Sequence, residues 1–187
     1  MKGHEYVREA IRTYLETAVP ARLSAHLADN ALSSPAPGEL TFLLEDTLQG
    51  VTTFPAVLVK STGATLDKWV ATRTFWYAYD VEIIVACDHR VHGSFEGASV
   101  DRDRVLLAVR ESLLALVGLP SDIDVTPRTM PEETGAAVET LAGVPLAAGT
   151  VKFTARVVET ITDLDPPEDI GAADLTVAGF DADDTLP

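Results

Sequence analysis

Residues 73–88 read RTFWYAYDVEIIVACD. Phe75, Tyr77, Tyr79, Val81, Ile83, Val85 and Cys87 occupy every second position, the spacing that puts side chains on one face of an extended chain. This period-two row predicts a long central strand with that face in the core. The alternate positions hold Trp76, Ala78, Asp80, Glu82, Ile84 and Ala86. They are too mixed for a second core face and too apolar for ordinary wetted surface, so something is expected to cover them.

Such a strand needs neighbours on both sides. Upstream, Leu40, Phe42 and Leu44 alternate with Glu39, Thr41, Leu43 and Glu45 and predict a half-buried strand, followed by a turn-rich stretch to Pro55. Residues 56–61 (AVLVKS) read as a more buried strand, and 61–67 as a turn around Gly63. Downstream, 123–130 reads as an edge strand, because Pro127 removes a ladder donor. Residues 136–141 can form a short strand, and Gly143, Pro145 and Gly149 read as a loop tip. The last strand is expected over 150–162, with Val151, Phe153, Ala155, Val157 and Ile161 on one face. Lys152, Thr154, Arg156 and Thr160 take the other, and Glu159 interrupts the apolar row.

Two helices remain to cover the sheet. Val7, Ala10, Ile11, Tyr14, Leu15 and Ala18 line up at three-and-four spacing, and Leu23 and Leu27 resume the stripe after Pro20. A helix is expected over 4–28 with a kink or break near Pro20. Residues 30–38, with Ser33, Ser34, Pro35, Pro37 and Gly38, read as a loop, and so do 89–98. Ser99 or Asp101 is expected to cap a second helix whose apolar face is Val105, Leu106, Val109, Leu113 and Leu116. Gly118 and Pro120 end it. The expected fold is α+β: an antiparallel or mixed sheet with two main helices packed on one face.

The 187 residues suit one domain, placed at 1–162, and 47% hydrophobic content is enough for a core. Charge is the unusual term, with 14 Lys and Arg against 29 Asp and Glu and a net of −15. Eight of those acids and no Lys or Arg fall in 163–187, which reads as an extended acidic C-terminal tail; 21 acids against 14 basic residues leave −7 for the rest. A surface of this sign repels phosphate backbones and anionic headgroups, which argues against a nucleic-acid grip or a membrane role. A single cysteine allows no internal disulfide, the first ten residues lack the apolar run of a secretory signal, and no segment approaches the ~20 apolar residues of a membrane helix.

Candidate chemistry is sparse. Cys87, Asp88, His89 and His92 are close together and carry metal-ligand chemistry, but no second Cys or His cluster completes a four-ligand site, and Cys87 fits a buried strand face. Asp80 and Glu82 share one face of a strand, as in magnesium-holding nucleases, yet Ile83, Ile84 and Val85 follow where a steadying Lys is expected. The stronger reading is two charges on a solvated or subunit-facing side. No nucleophile elbow, phosphate loop, dinucleotide fingerprint or zinc-protease motif is present. The expectation is a non-enzyme with no catalytic residue, cofactor or metal. Trp69, Arg73 and Trp76 are candidate recognition residues, since Trp and Arg are enriched at the energetic centres of interfaces. Trp69 leans towards interface, and Trp76 stands evenly between interface and core.

The start VREAIRTYLETAVPARL, the strands FPAVLVKS and RTFWYAYDVEIIVAC, the helix DRDRVLLAVRESLLALV and the closing strand GTVKFTARVVETI together resemble tail terminator (tail completion) proteins of long-tailed bacteriophages. The resemblance spans roughly residues 5–161 and rests on element order, size and character. It implies a homo-oligomeric ring, expected to be hexameric, on the last ring of tail tube protein, which stops tube growth and faces a head-completion or connector protein. It also implies a place in the virion neck after assembly in the host cytoplasm, with no enzymatic activity. DNA would pass through the lumen without specific binding, and acidic side chains facing that lumen would keep it from sticking. The alternatives are a neighbouring neck protein, such as a head-closure or tail-joining factor, and a small metal-dependent hydrolase using Asp80, Glu82 or the Cys87 to His92 cluster. The tail has no counterpart in the resemblance. Leu175, Val177 and Phe180 interrupt its acids, where a purely solvating segment has little use for them, so it is expected to be an arm that docks on a neighbouring subunit or partner.

Overall fold

A computed structural model describes residues 2–44, 47–71, 73–92, 94–115, 119–125, 132–133, 138–141 and 144–160. The expectations for Leu116, 126–130, Ile161 and the segment 163–187 lie outside the described residues. In chain order the elements are helix α1 (Gly3–Asp29), strands β1 (Thr41–Leu43), β2 (Ala56–Ala71) and β3 (Thr74–Asp88), the single turn α2 (His89–His92) and helix α3 (Phe95–Ala115). Strands β4 (Ile123–Val125), β5 (Glu132–Glu133), β6 (Val138–Leu141) and β7 (Val144–Thr160) follow. The sheet runs β1-β2-β3-β7-β4, with β5 and β6 also on β7. Among the described residues only the β1 to β2 pair is parallel, so the sheet is mixed.

The period-two row becomes the centre of this sheet. β3 pairs along its whole length with β7, from Thr74↔Thr160 to Asp88↔Leu146, and on its other side with β2. Tyr79, Val81, Ile83, Val85 and Cys87 enter one core with Val57 and Val59 of β2 and Val151, Phe153, Ala155 and Val157 of β7. Both helices close that core: α1 supplies Val7, Ile11, Leu15, Val19, Leu23 and Leu27, and α3 supplies Val105, Leu106, Val109 and Leu113. The fold is therefore α+β, with two main helices on one face of a mixed sheet. Each fully buried side chain of this kind contributes roughly 1.5–3 kcal/mol relative to exposure.

The opposite face of β3 has a partial cover. Leu48, Val51 and Phe54, from the turn-rich stretch before β2, pack with Ala56, Leu58, Ile84, Ala86 and Leu146 in a smaller second core, and Leu43 joins its edge. Among the described residues the cover reaches the Ile84 and Ala86 end only, and the Trp76 to Glu82 end stays half-buried or exposed.

Several boundaries differ from the sequence reading, each for a local reason. The helix at Pro20 is unbroken, because the buried stripe continues in phase from Val19 to Leu23 and burial on both sides outweighs the one lost backbone bond. The expected turn around Gly63 is absent. β2 runs on to Ala71 through register shifts at Ser61/Gly63, Leu66/Lys68 and Trp69/Ala71, and these irregularities hide the alternation that would have marked a strand. At Gly63 the Asp80 carboxylate lies close over the backbone, so that a Cβ there would sit 3.0 Å from Asp80 Oδ2 and the carboxylate would have to shift. The second helix begins at Phe95, earlier than Ser99 or Asp101, because Ser94 Oγ accepts from the Gly97 backbone N–H at 3.0 Å and acts as the cap. Asp101 is buried instead, accepting from the Ser34 hydroxyl and pairing with Arg104 at 3.1 Å. Pro145 and Gly149 lie inside β7, which starts at Val144 against Leu141 of β6.

Candidate functional site

The β2 to β3 hairpin is the feature that stands apart. Its base, Ala56 to Val59, is buried on both faces, but from Ala64 to Ala71 every residue of β2 is exposed. Leu66, Trp69 and Val70 are 53%, 63% and 52% exposed. The outer edge of β2 is also open: β1 pairs only with Ala56, Val57 and Leu58, and among the described residues no strand pairs with it beyond Leu58. An unpaired edge carrying large apolar side chains is a ready site for another chain.

On the helix-side face the aromatic rings form a continuous strip. Trp69 meets Phe75 edge-on at 4.4 Å, Phe75 lies 6.3 Å from Tyr77, Tyr77 lies 6.4 Å from Tyr79, and His4 closes on Tyr79 at 5.1 Å. The strip runs from an exposed tip to a buried root. Arg73 holds a φ of 67° at the turn, a conformation that costs a non-glycine residue about 1–2 kcal/mol.

The root is anchored by a buried acid. Glu159 is fully buried, and its Oε1 accepts from the Tyr79 hydroxyl and from the Gly3 backbone N–H at 3.3 Å. Gly3 is the first residue of α1, whose own N-cap position makes no side-chain bond, so Glu159 caps the helix from the sheet and sits at its positive end. This explains a carboxyl group in the apolar row of β7. Burial, then the bond to Glu159, raises the pKa of Tyr79 well above its ordinary value. Nearby, Lys2 and Tyr6 both donate to Asp122 ahead of β4. Burial alone would raise the Asp122 pKa, but these two bonds outweigh it and leave it lowered.

Trp76, Asp80 and Glu82 project from the open face. Trp76 is half-buried and joins neither core, and Asp80 is exposed. Glu82 is held between Lys60 of β2 at 3.9 Å and Lys152 of β7 at 3.7 Å, its two cross-strand neighbours. The lysine missing from the local sequence thus arrives from both adjacent strands, but as partners that occupy the carboxylate and repel a cation. Next along, Arg156 reaches Asp67 at 3.3 Å.

In the Cys87 to His92 stretch Asp88 lies 3.6 Å from His89, while Cys87 turns into the core. Cys87 is fully buried, and burial pushes its thiol up to about 12. Asp88 is engaged by Arg90 at 2.6 Å, and the side chain of His92 lies outside the described residues. Among the described residues no group of three or more His, Cys, Asp and Glu is arranged to hold a metal ion, and no helix is long and apolar enough to cross a membrane. Of the recognition candidates, Trp69 and Arg73 are brought together at the exposed tip, Trp76 lies on the opposite face, and Leu175, Val177 and Phe180 lie outside the described residues. Sequence reasoning missed Leu66, which fell in the supposed turn, Val70, which fell between that turn and the β3 row, and the role of Glu159, whose signal was its place in an apolar row. A scan against models of protein families and a search of curated proteins both find no match for this sequence.

Proposed function

We propose that this chain is a structural assembly subunit that caps a bacteriophage tail tube as a ring, expected to be hexameric, and so ends tube growth and forms the tail side of the head-to-tail junction. The observation that carries the reading is the projecting hairpin, whose open edge presents Leu66, Trp69 and Val70. A contact between such an edge and a different surface of the next copy is head-to-tail, and closes into a ring when the rotation allows. The order and size of the elements, which resemble those of tail terminator proteins, support the particular ring. The partners would be tail tube protein on one side and a head-completion or connector protein on the other, in the virion neck. The net charge of −15 suits a conduit for DNA.

Sedimentation velocity and negative-stain imaging across a concentration series test the reading. Rings are expected; a strict monomer that fails to bind tail tubes would overturn it. A head-closure or tail-joining protein would share the ring, so tail length in a deletion phage separates the two: loss of a terminator gives overlong tails, and loss of a neighbouring neck protein leaves length unchanged. The hydrolase alternative requires Glu82 to leave both lysines for a metal, and stoichiometric magnesium or manganese binding by the purified protein would favour it.

A further inference from the structure

The open edge of β2 and the acidic segment that follows β7 fit each other. Along the exposed part of β2, the residues on the helix-side face are Ala64, Leu66 and Trp69, spaced by two and then three because of the register shift between Leu66 and Lys68. In the tail, Leu175, Val177 and Phe180 repeat that spacing in the same order. Regular alternation would not match an irregular edge, and an antiparallel strand would need the intervals reversed. The extra positions in the tail are Ala178 and Gly179, small residues suited to a bulge.

Charge agrees with shape. Residues 60–73 carry Lys60, Lys68 and Arg73 against Asp67, a net of +2 within a chain of −15, while 163–187 carries eight acids and no basic residue. With the apolar residues aligned, Ala178 falls beside Asp67, Asp184 falls beside Arg73, and one acid, Asp174, comes near another, Asp80, across Gly63.

The connection is long enough to close within one molecule. β7 ends at Thr160 opposite Thr74, at the tip of the hairpin. From there to the outer side of β2 is three inter-strand steps, about 14 Å, and back to the level of Ala64 about 23 Å. The thirteen residues 161–173 reach about 43 Å when extended.

We propose that residues 174–184 (DLTVAGFDADD) add to the outer edge of β2 of the same molecule as a parallel strand, with Leu175, Val177 and Phe180 beside Ala64, Leu66 and Trp69. The added strand supplies the edge's missing backbone partners and lays Phe180 against Trp69. Being tethered, it acts at an effective concentration in the millimolar range, so the edge is covered in the free subunit, and a neighbouring copy that docks on Leu66, Trp69 and Val70 has to displace the strand. This does not depend on the ring reading.

Amide hydrogen exchange of the full-length protein tests it. Amides of 175–181 and of 64–71 are expected to exchange at least about tenfold more slowly than in the Val177→Pro variant, and to the same degree across a hundredfold dilution. Phe180→Asp should raise acrylamide quenching of Trp69, measured in a Trp76→Phe background. Rapid exchange of 175–181 in the unaltered chain would overturn the proposal, as would protection that survives Val177→Pro. Protection lost on dilution would also overturn it, since a second copy would then supply the strand. Sedimentation of the same samples reads assembly separately, so failure of the strand and failure of the ring are distinguishable.

Discussion

Replacing Tyr79 by Phe removes one hydroxyl from a site where its loss should be felt out of proportion to its size. Glu159 is fully buried and Tyr79 is 3% exposed, so water does not readily take the place of the lost donor. The Gly3 N–H at 3.3 Å would be left on Oε1, and Oε2 already has no partner among the described residues. Leaving a buried acceptor without its donor costs about 1–3 kcal/mol, so Tyr79→Phe should lower the free energy of unfolding by about 2 kcal/mol in urea titrations. A cycle with Glu159→Gln should give a coupling of about 1–2 kcal/mol. The pH dependence adds a second reading. The folded pKa of Tyr79 is raised above the unfolded value near 10, so its contribution is complete below pH 10 and is lost as pH rises towards the folded value, at up to about 1.4 kcal/mol per pH unit for one proton. Tyr6, through its bond to Asp122, and Tyr14, through burial, are raised as well. The alkaline fall should therefore be shallower in Tyr79→Phe without disappearing. A coupling below about 0.5 kcal/mol, or an unchanged alkaline slope, would refute the claim that Glu159 ties the hairpin root to α1.

Other consequences are as direct. Trp69→Glu together with Leu66→Lys should leave the chain folded, at a cost of about 1 kcal/mol for the lost Trp69 to Phe75 ring contact, yet abolish rings in sedimentation and imaging; intact rings would remove the hairpin from the interface. Ser94→Ala should cost about 1 kcal/mol in thermal or urea unfolding through loss of the α3 cap. Cys87, buried with its thiol pushed up to about 12, should resist aromatic disulfide reagents at pH 8 until the protein unfolds, and fast modification of the folded protein would contradict its place in the core.

Much of the fold was legible because burial imposes a period. The β3 row, the α1 stripe on either side of Pro20, and the α3 face as far as Leu113 survive in the structure, since each lines one side of a single core. What was missed lies where that pressure is absent. β2 beyond Ser61 has neither face in the core, so nothing forces Leu66 and Trp69 into phase, and the bulges erase what alternation there is. The start of α3 was hidden because its first turn is exposed and only Ser94 marks it. At the candidate surface, Trp69 and Arg73 could be named from residue type alone. Leu66 and Val70 could not, because apolar residues become conspicuous only when the structure leaves them uncovered.

The continuous pairing of β3 with β7 also has a mechanical side. Because β2 continues past the helix layer beside this pair, a pull on the hairpin tip is directed along the strands and not across them. Backbone bonds perpendicular to the strands are then loaded in shear, so many must yield together, where peeling would break them singly. A subunit gripped by its hairpin and held at its helices would transmit tension like a rod, with Glu159 fastening the helix to that rod near its point of loading.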